Sequence, residues 1–188
     1  MIRTGDTILN PVTGERITFL RTSADTNGES VLIETAVHPG GFVAAAHVHP
    51  FQTERFEVVS GRLAIKAGRE TLELEAGQTA TIPAGLAHRF WNDGEELAVF
   101  RCEVRPALQF ESLLETMFAL AADGLTSRKG MPNPVRLAVI ANAHFDTVRL
   151  PFPPAWLQKA ALALGAPLGR LAGYGAAYEG AEGIAATV

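Results

Sequence analysis

The sequence predicts a mainly β protein, an antiparallel sandwich or barrel followed by an α-helical extension. Three observations carry this. From the N-terminus to about Pro106 the chain is a series of short extended runs punctuated by Gly, Asn and Pro, with no helical period between them. After Pro106 the apolar residues recur at helical spacing. Apolar residues make up 47% and charged residues 19% of the 188, ordinary usage for a chain with a packed core rather than a disordered one.

The β region reads in order as follows. Asn10-Pro11-Val12-Thr13-Gly14 is a turn that leads into a strand through Ile17 and Phe19. Asn27-Gly28 is a hairpin signal between that strand and Val31–Val37, because both residues tolerate a positive φ. Pro39-Gly40-Gly41 breaks the chain again. Further runs cover Phe56–Val59, Leu63–Lys66, Leu72–Leu74, Thr79–Ile82, His88–Trp91 and Leu97–Val104. Leu63 and Ile65, like Leu72 and Leu74, alternate with neighbours that face the other way, which gives these strands one wet face.

In the extension, Phe110, Leu113, Leu114, Met117 and Ala121 share one helical face, and Gly124 sits where that helix stops. Asn133-Pro134 pairs an N-cap with Pro at the first helical position, opening a helix toward His144. Pro151, Pro153 and Pro154 form a stiff linker. A third helical segment starts at Trp156 and is interrupted by Gly165 and Pro167, and the Gly/Ala-rich stretch Gly173–Val188 is expected to be loosely ordered. The chain thus divides into a barrel domain, residues 1–106, and a helical C-terminal extension, residues 107–188.

Charge and cysteine content remove several function classes. Sixteen Lys and Arg against twenty Asp and Glu give a net charge of −4 without a long basic run, which argues against nucleic-acid binding. Cys102 is the single cysteine, so neither an internal disulfide nor a cysteine-cage zinc site is available. No apolar run reaches the roughly 18–20 residues a bilayer span requires, and the N-terminus lacks the apolar stretch of a signal peptide. The expectation is a cytoplasmic protein that does not associate with membranes.

The chemistry lies in the histidines. His47 and His49 stand two apart on an extended segment, so their imidazoles share a face. Glu54 follows after an odd step, but Pro50 breaks the strand and lets Phe51–Thr53 reset the register. His88 arrives from a different strand. Three imidazoles and a carboxylate converging inside a barrel suit a divalent transition metal, with two positions open if the ion is octahedral. An isolated His-X-His pair on a strand is otherwise a surface or hydrogen-bonded pair.

The residues around these four resemble a known family. Gly41, His47, His49, Glu54 and Gly61, with five, one, four and six residues between successive members, resemble the first motif of the cupin superfamily. Gly77, Pro83, Gly85, His88 and Asn92, spaced by five, one, two and three residues, resemble the second. The motifs span residues 41–61 and 77–92, fifteen residues apart, as in small single-domain bacterial cupins. The resemblance implies a double-stranded β-helix, a jelly-roll barrel of six to eight strands. It also implies His47, His49, Glu54 and His88 as ligands of one Fe, Mn, Ni, Cu or Zn ion, with Asn92 supporting a turn.

Parity along the strands puts Val43, Ala45, Phe56, Val58 and Phe90 on the ligand face, an apolar pocket for a hydrophobic or aromatic small molecule. The same residues would also serve as plain barrel core. Glu57 reads as a solvated charge, His38 as a surface turn residue and His144 as a packed, hydrogen-bonded histidine. Cys102 reads as a buried small hydrophobe, and Trp91 faces away from the ligands. The tail either covers the barrel, pairs with another subunit or lies on a membrane surface. The leading functional expectation is a metal-dependent, dioxygenase-like oxidoreductase in which Glu54 doubles as a base. The alternatives are a zinc-dependent cyclase or isomerase, as some similar cupins are in aromatic polyketide assembly, and a non-catalytic binder. A homodimer is expected from the resemblance.

Overall fold

A computed structural model describes residues 2–180. Nine strands come first: β1 (Thr7–Asn10), β2 (Glu15–Arg21), β3 (Val31–Val37), β4 (Thr53–Ser60), β5 (Arg62–Ala67), β6 (Glu70–Glu75), β7 (Thr79–Ile82), β8 (His88–Trp91) and β9 (Ala98–Arg105). Three helices follow: α1 (Phe110–Ala122), α2 (Pro134–Ala143) and α3 (Ala155–Leu171). The strands form a six-stranded sheet, order β1-β2-β3-β9-β4-β7, and a three-stranded sheet, order β6-β5-β8, all antiparallel. Nine named strands exceed the six to eight expected. The addition is β1, which pairs with β2. Its four residues are too few to display alternation, and Asn10 is at once its last residue and the start of the following turn.

Alternation fixes which side chains face inward. Across β4, β9, β3 and β2 the register stacks successive inward rows: Glu54-Val104-Val31, then Phe56-Cys102-Ile33-Phe19, then Val58-Phe100-Thr35-Ile17. The last row, Ala98-Val37-Glu15, continues to Asn10 on β1. These side chains are buried, and with Leu63 and Ile65 of the smaller sheet they make the core. Each large apolar side chain so placed contributes about 1.5–3 kcal/mol.

The turns follow the expected chemistry. Asn27 and Gly28 both take positive φ, 52° and 83°, inside the loop that joins the β2–β3 hairpin. Gly61 has φ 72°, and a Cβ there would stand 2.5 Å from the Leu97 carbonyl oxygen, so any side chain is excluded twice over. Asn92 donates to the Val37 and Glu96 carbonyls and accepts from the Gly94 amide, the expected turn support.

The extension departs from expectation in two places. α3 runs unbroken through Gly165 and Pro167 to Leu171. Pro167 forfeits one backbone hydrogen bond, but tertiary packing retains the helix. A Cβ on Gly169 would meet Val139 Cγ2 at 2.3 Å, and one on Gly165 would meet Ala138 Cβ at 3.1 Å. These glycines therefore serve close contact with α2 rather than a helix stop. Second, residues 173–180 are tied down. Arg136 stacks on the rings of Tyr174 and Tyr178, and the Tyr178 hydroxyl donates to Asp123 Oδ2 at 2.7 Å. Residues 181–188, the rest of the stretch expected to be loose, lie outside the described residues.

The other helix signals hold. Asn133 caps α2 by accepting from the Arg136 amide, and Gly124 follows α1 with φ 69°. No described helix is long and apolar enough to cross a membrane.

Candidate metal centre and cavity

The extended segment before β4 runs beside β8: Phe42 bridges Trp91 and His47 bridges His88. His47 and His49 therefore stand over the smaller sheet, while Glu54 projects inward from β4 of the larger one. Pro50–Gln52 make the turn between them, so the odd step from His49 to Glu54 is absorbed as expected. One nitrogen or oxygen from each of His47, His49, Glu54 and His88 lies within 4.8 Å of all the others. His49 Nε2 is 3.6 Å and His88 Nε2 2.6 Å from the Glu54 carboxylate.

Each imidazole is oriented through its other nitrogen. His47 Nδ1 donates to the Ala45 carbonyl at 2.9 Å and His88 Nδ1 to the Leu86 carbonyl at 3.0 Å. His49 Nδ1 donates to the Thr147 carbonyl at 2.7 Å, with Gln52 Oε1 at 3.0 Å. Carbonyl oxygens only accept, so all three Nδ1 atoms carry hydrogen and all three Nε2 atoms face the cluster. This is the arrangement in which outer partners fix the tautomer of a metal-binding histidine.

Charge is matched to that role. Burial pushes the Glu54 carboxyl up, but the charges of His49 and His88 and the contact with His88 outweigh it and hold the pKa at about 2. Glu54 is thus ionised. Burial, with repulsion from His49 and His88, depresses His47 to about 3, which keeps it neutral. Burial alone would lower His88, yet its contact with Glu54 raises it above the ordinary value. His88 Nε2 and Glu54 Oε2 are close but not aligned as donor and acceptor, and both are buried without a directed hydrogen bond. Two orphaned buried atoms aimed at a common point, beside two further Nε2 atoms, fit a divalent transition metal ion.

The cluster opens into a cavity of about 450 Å³. Val43, Ala45, Phe56 and Phe90 line it as expected, and Phe56, Phe90 and Phe100 make mutual ring contacts at 5.2–6.3 Å. Val58 does not line it. It lies one inward row beyond Phe56, and although Phe100 and Thr35 of that row reach the cavity, Val58 itself is packed in the core.

Several residues at the site carry no sequence signal that assigns them to it. Cys102 is buried as expected but also lines the cavity, its Sγ 3.9 Å from Glu54 Oε1; burial and the Glu54 charge keep it a neutral thiol. Gln52 is 1% exposed and locks His49 while its Nε2 donates to the Pro106 and Ala107 carbonyls. The helical extension supplies the opposite wall through Phe110, Leu114, Met117 and Ile140. The expectations for the tail are to cover the outside of the barrel, to pair with another subunit or to lie on a membrane surface; its apolar side chains instead line the cavity. Arg149, which bridges Val48, and Glu15 are the charged residues lining the cavity away from the cluster. His144 is packed as expected, its Nδ1 donating to the Ile140 carbonyl, and His38 is exposed. Glu57 faces outward beside Arg55.

Residues 33–102 match the family model of the Cupin domain. These residues form a cupin domain. The cupin shares 46% identity over 48 residues, 26% of its length, with an uncharacterized protein of Streptomyces coelicolor, covering 46% of that protein. It shares 35% identity over 85 residues, 45% of its length, with the polyketide synthase CurC of Streptomyces cyaneus, covering 55% of it. The cupin thus spans about half the length of the curated relatives it matches. Among solved structures it is similar to an uncharacterized double-stranded β-helix protein of Klebsiella pneumoniae. That likeness has TM-score 0.44 and 26% identity, and covers 57% of this chain and 84% of the other.

Proposed function

We propose that this cupin is a metal-dependent enzyme, dioxygenase-like, acting on a small hydrophobic or aromatic molecule. The observation that carries the reading is the convergence of three Nδ1-anchored imidazoles and an ionised Glu54 at one end of an apolar cavity. A divalent ion held by His47, His49, Glu54 and His88 would supply Lewis acidity to a substrate oxyanion and, for iron, manganese, nickel or copper, one-electron chemistry with dioxygen. The chain's own contribution is binding and exclusion of water. Phe56, Phe90 and Phe100 offer ring contacts to a flat substrate, and side chains from α1 and α2 add apolar wall to the site. Arg149 offers a positive charge to an anionic substrate group.

A zinc-dependent cyclase or isomerase is the second reading, favoured by the name of the Streptomyces cyaneus relative, a polyketide synthase. The same proposal takes the protein to be a cytoplasmic homodimer that binds no nucleic acid.

The test is elemental mass spectrometry on untagged protein and on His88→Ala, followed by dioxygen-uptake assays with phenolic, enolic and diketone substrates. A redox metal near one equivalent, lost in the variant, with uptake above background supports the first reading. Zinc without uptake moves the assignment to the cyclase or isomerase. No metal after reconstitution leaves a non-catalytic binder.

A further inference from the structure

The cavity has a second polar end. Glu54 and Glu15 both face inward on the six-stranded sheet, but Glu54 belongs to the row of Val104 and Val31 and Glu15 to the row of Val37 and Ala98. Between them lie the rows of Phe56 and Phe100. Both carboxylates line the one cavity, so its polar groups sit at two ends of an apolar middle.

Glu15 is 6% exposed. Among the described residues its one hydrogen-bond partner is the Thr13 hydroxyl, which donates to Oε2 at 2.6 Å, and no cation pairs with it. Burying a carboxyl without a cation is costly, and nothing in the turn requires it: Asn10 Oδ1 already accepts the Val12 and Thr13 amides. Thr35 is its diagonal neighbour, since Ile17 pairs with Thr35 and Glu15 with Val37. Such neighbours stand about 7–8 Å apart at their backbone positions, so both side chains border the same stretch of cavity wall. Thr35 is 1% exposed and lines the cavity, and its hydroxyl is buried with no hydrogen-bond partner. Beside Asn10, whose Oδ1 is already engaged by the turn, two adjacent, under-satisfied polar groups on the cavity wall call for an external partner.

We infer that Glu15 and Thr35 form an oxygen-recognising subsite for the far end of an elongated, flat apolar substrate whose near oxygen faces His47, His49, Glu54 and His88. The substrate class is an aromatic or extended conjugated molecule with a hydroxyl or carbonyl oxygen at each end. This rests on the reading of the cavity as a site for hydrophobic molecules and narrows it.

Isothermal titration calorimetry on zinc-reconstituted protein, with chelator-treated protein alongside, compares 2-naphthol with 2,6-dihydroxynaphthalene and 4-phenylphenol with 4,4′-dihydroxybiphenyl. The wild type should prefer the dihydroxy member of at least one pair by about tenfold, the effect of one well-made hydrogen bond in a desolvated site. Thr35→Val and Glu15→Leu should erase that preference while holding monophenol affinity within about twofold. Glu15→Gln, which retains hydrogen-bonding capacity, should restore part of it, and thermal melts check that each variant is folded. Equal affinities within both pairs, or a preference that survives in Thr35→Val and Glu15→Leu, overturns the subsite. Metal-dependent monophenol binding without a dihydroxy preference removes the subsite alone, whereas no binding of any of the four removes the hydrophobic-substrate reading with it.

Discussion

His88 Nε2 lies 2.6 Å from Glu54 Oε2, and the two residues come from different sheets: His88 from β8 of the three-stranded sheet, Glu54 from β4 of the six-stranded one. The contact joins the two layers at the end of the cavity and is buried on both sides. Removing one partner of a buried pair leaves the other charge uncompensated, at about 3–5 kcal/mol. His88→Ala should therefore lower the stability of chelator-treated protein by about that amount, measured by urea unfolding. It should also abolish stoichiometric metal binding, read by elemental analysis. A variant that retains one equivalent of metal would remove His88 from the ligand set.

Gln52 tests the outer support. It accepts from His49 Nδ1 and is itself fixed by two carbonyls at the start of the extension. Loss of such a partner lowers metal affinity by about 10–100-fold. Because the Thr147 carbonyl still holds His49 Nδ1, Gln52→Ala should fall near the lower end, about tenfold, in a chelator-competition titration.

Glu15 sets a pH dependence. Burial pushes its carboxyl up to about 7, against the pull of the Thr13 hydrogen bond, from an ordinary 4.5. A raised folded-state pKa means that the neutral acid is favoured in the native protein. Its stabilising contribution is complete below pH 4.5 and is lost as pH rises through about 7. At about 1.4 kcal/mol per pH unit the loss approaches about 3 kcal/mol. Chemical unfolding of wild type against Glu15→Gln between pH 5 and 8.5 should show the difference between the two closing from the alkaline side downward. Parallel profiles would contradict a buried, protonated Glu15.

The α2–α3 contact separates two glycines. Gly169→Ala forces a Cβ to within 2.3 Å of Val139 Cγ2 and 2.7 Å of the Val135 carbonyl oxygen, and should cost about 1–3 kcal/mol in thermal or urea unfolding. Gly165→Ala meets only Ala138 Cβ, at 3.1 Å. There the gain in helix propensity, about 1 kcal/mol, offsets the crowding, so the change should be near neutral. Equal effects at the two positions would disprove the packing account.

Much of the candidate site is legible in the chain itself. A two-residue step puts His47 and His49 on one face of any extended segment, and the turn at Pro50 lets Glu54 rejoin that face. Val43, Ala45, Phe56 and Phe90 follow from the same alternation. Val58 obeys it too, yet lies in the core while Phe100 and Thr35 of the same row reach the cavity, because parity reports the face of a strand and not which inward side chains border the cavity. Pro167 and Gly165 carry local breaker signals that the contact with α2 overrides.

The sequence by itself determined the strand-rich barrel, the helices beyond Pro106 and the shared face of His47 and His49, because each is written in short-range spacing that backbone geometry turns directly into direction, while Glu54 and His88 joined that pair through the resemblance of the two motifs. The tertiary structure alone decided what stands across from them. The Thr147 carbonyl that fixes His49 is 98 residues away in the chain, side chains of α1, α2 and α3 line a cavity together with those of the barrel strands, and Glu15 emerges from a turn to face it. Such meetings depend on how two sheets and three helices pack, and no local period encodes the distance between surfaces that come together only when the chain folds.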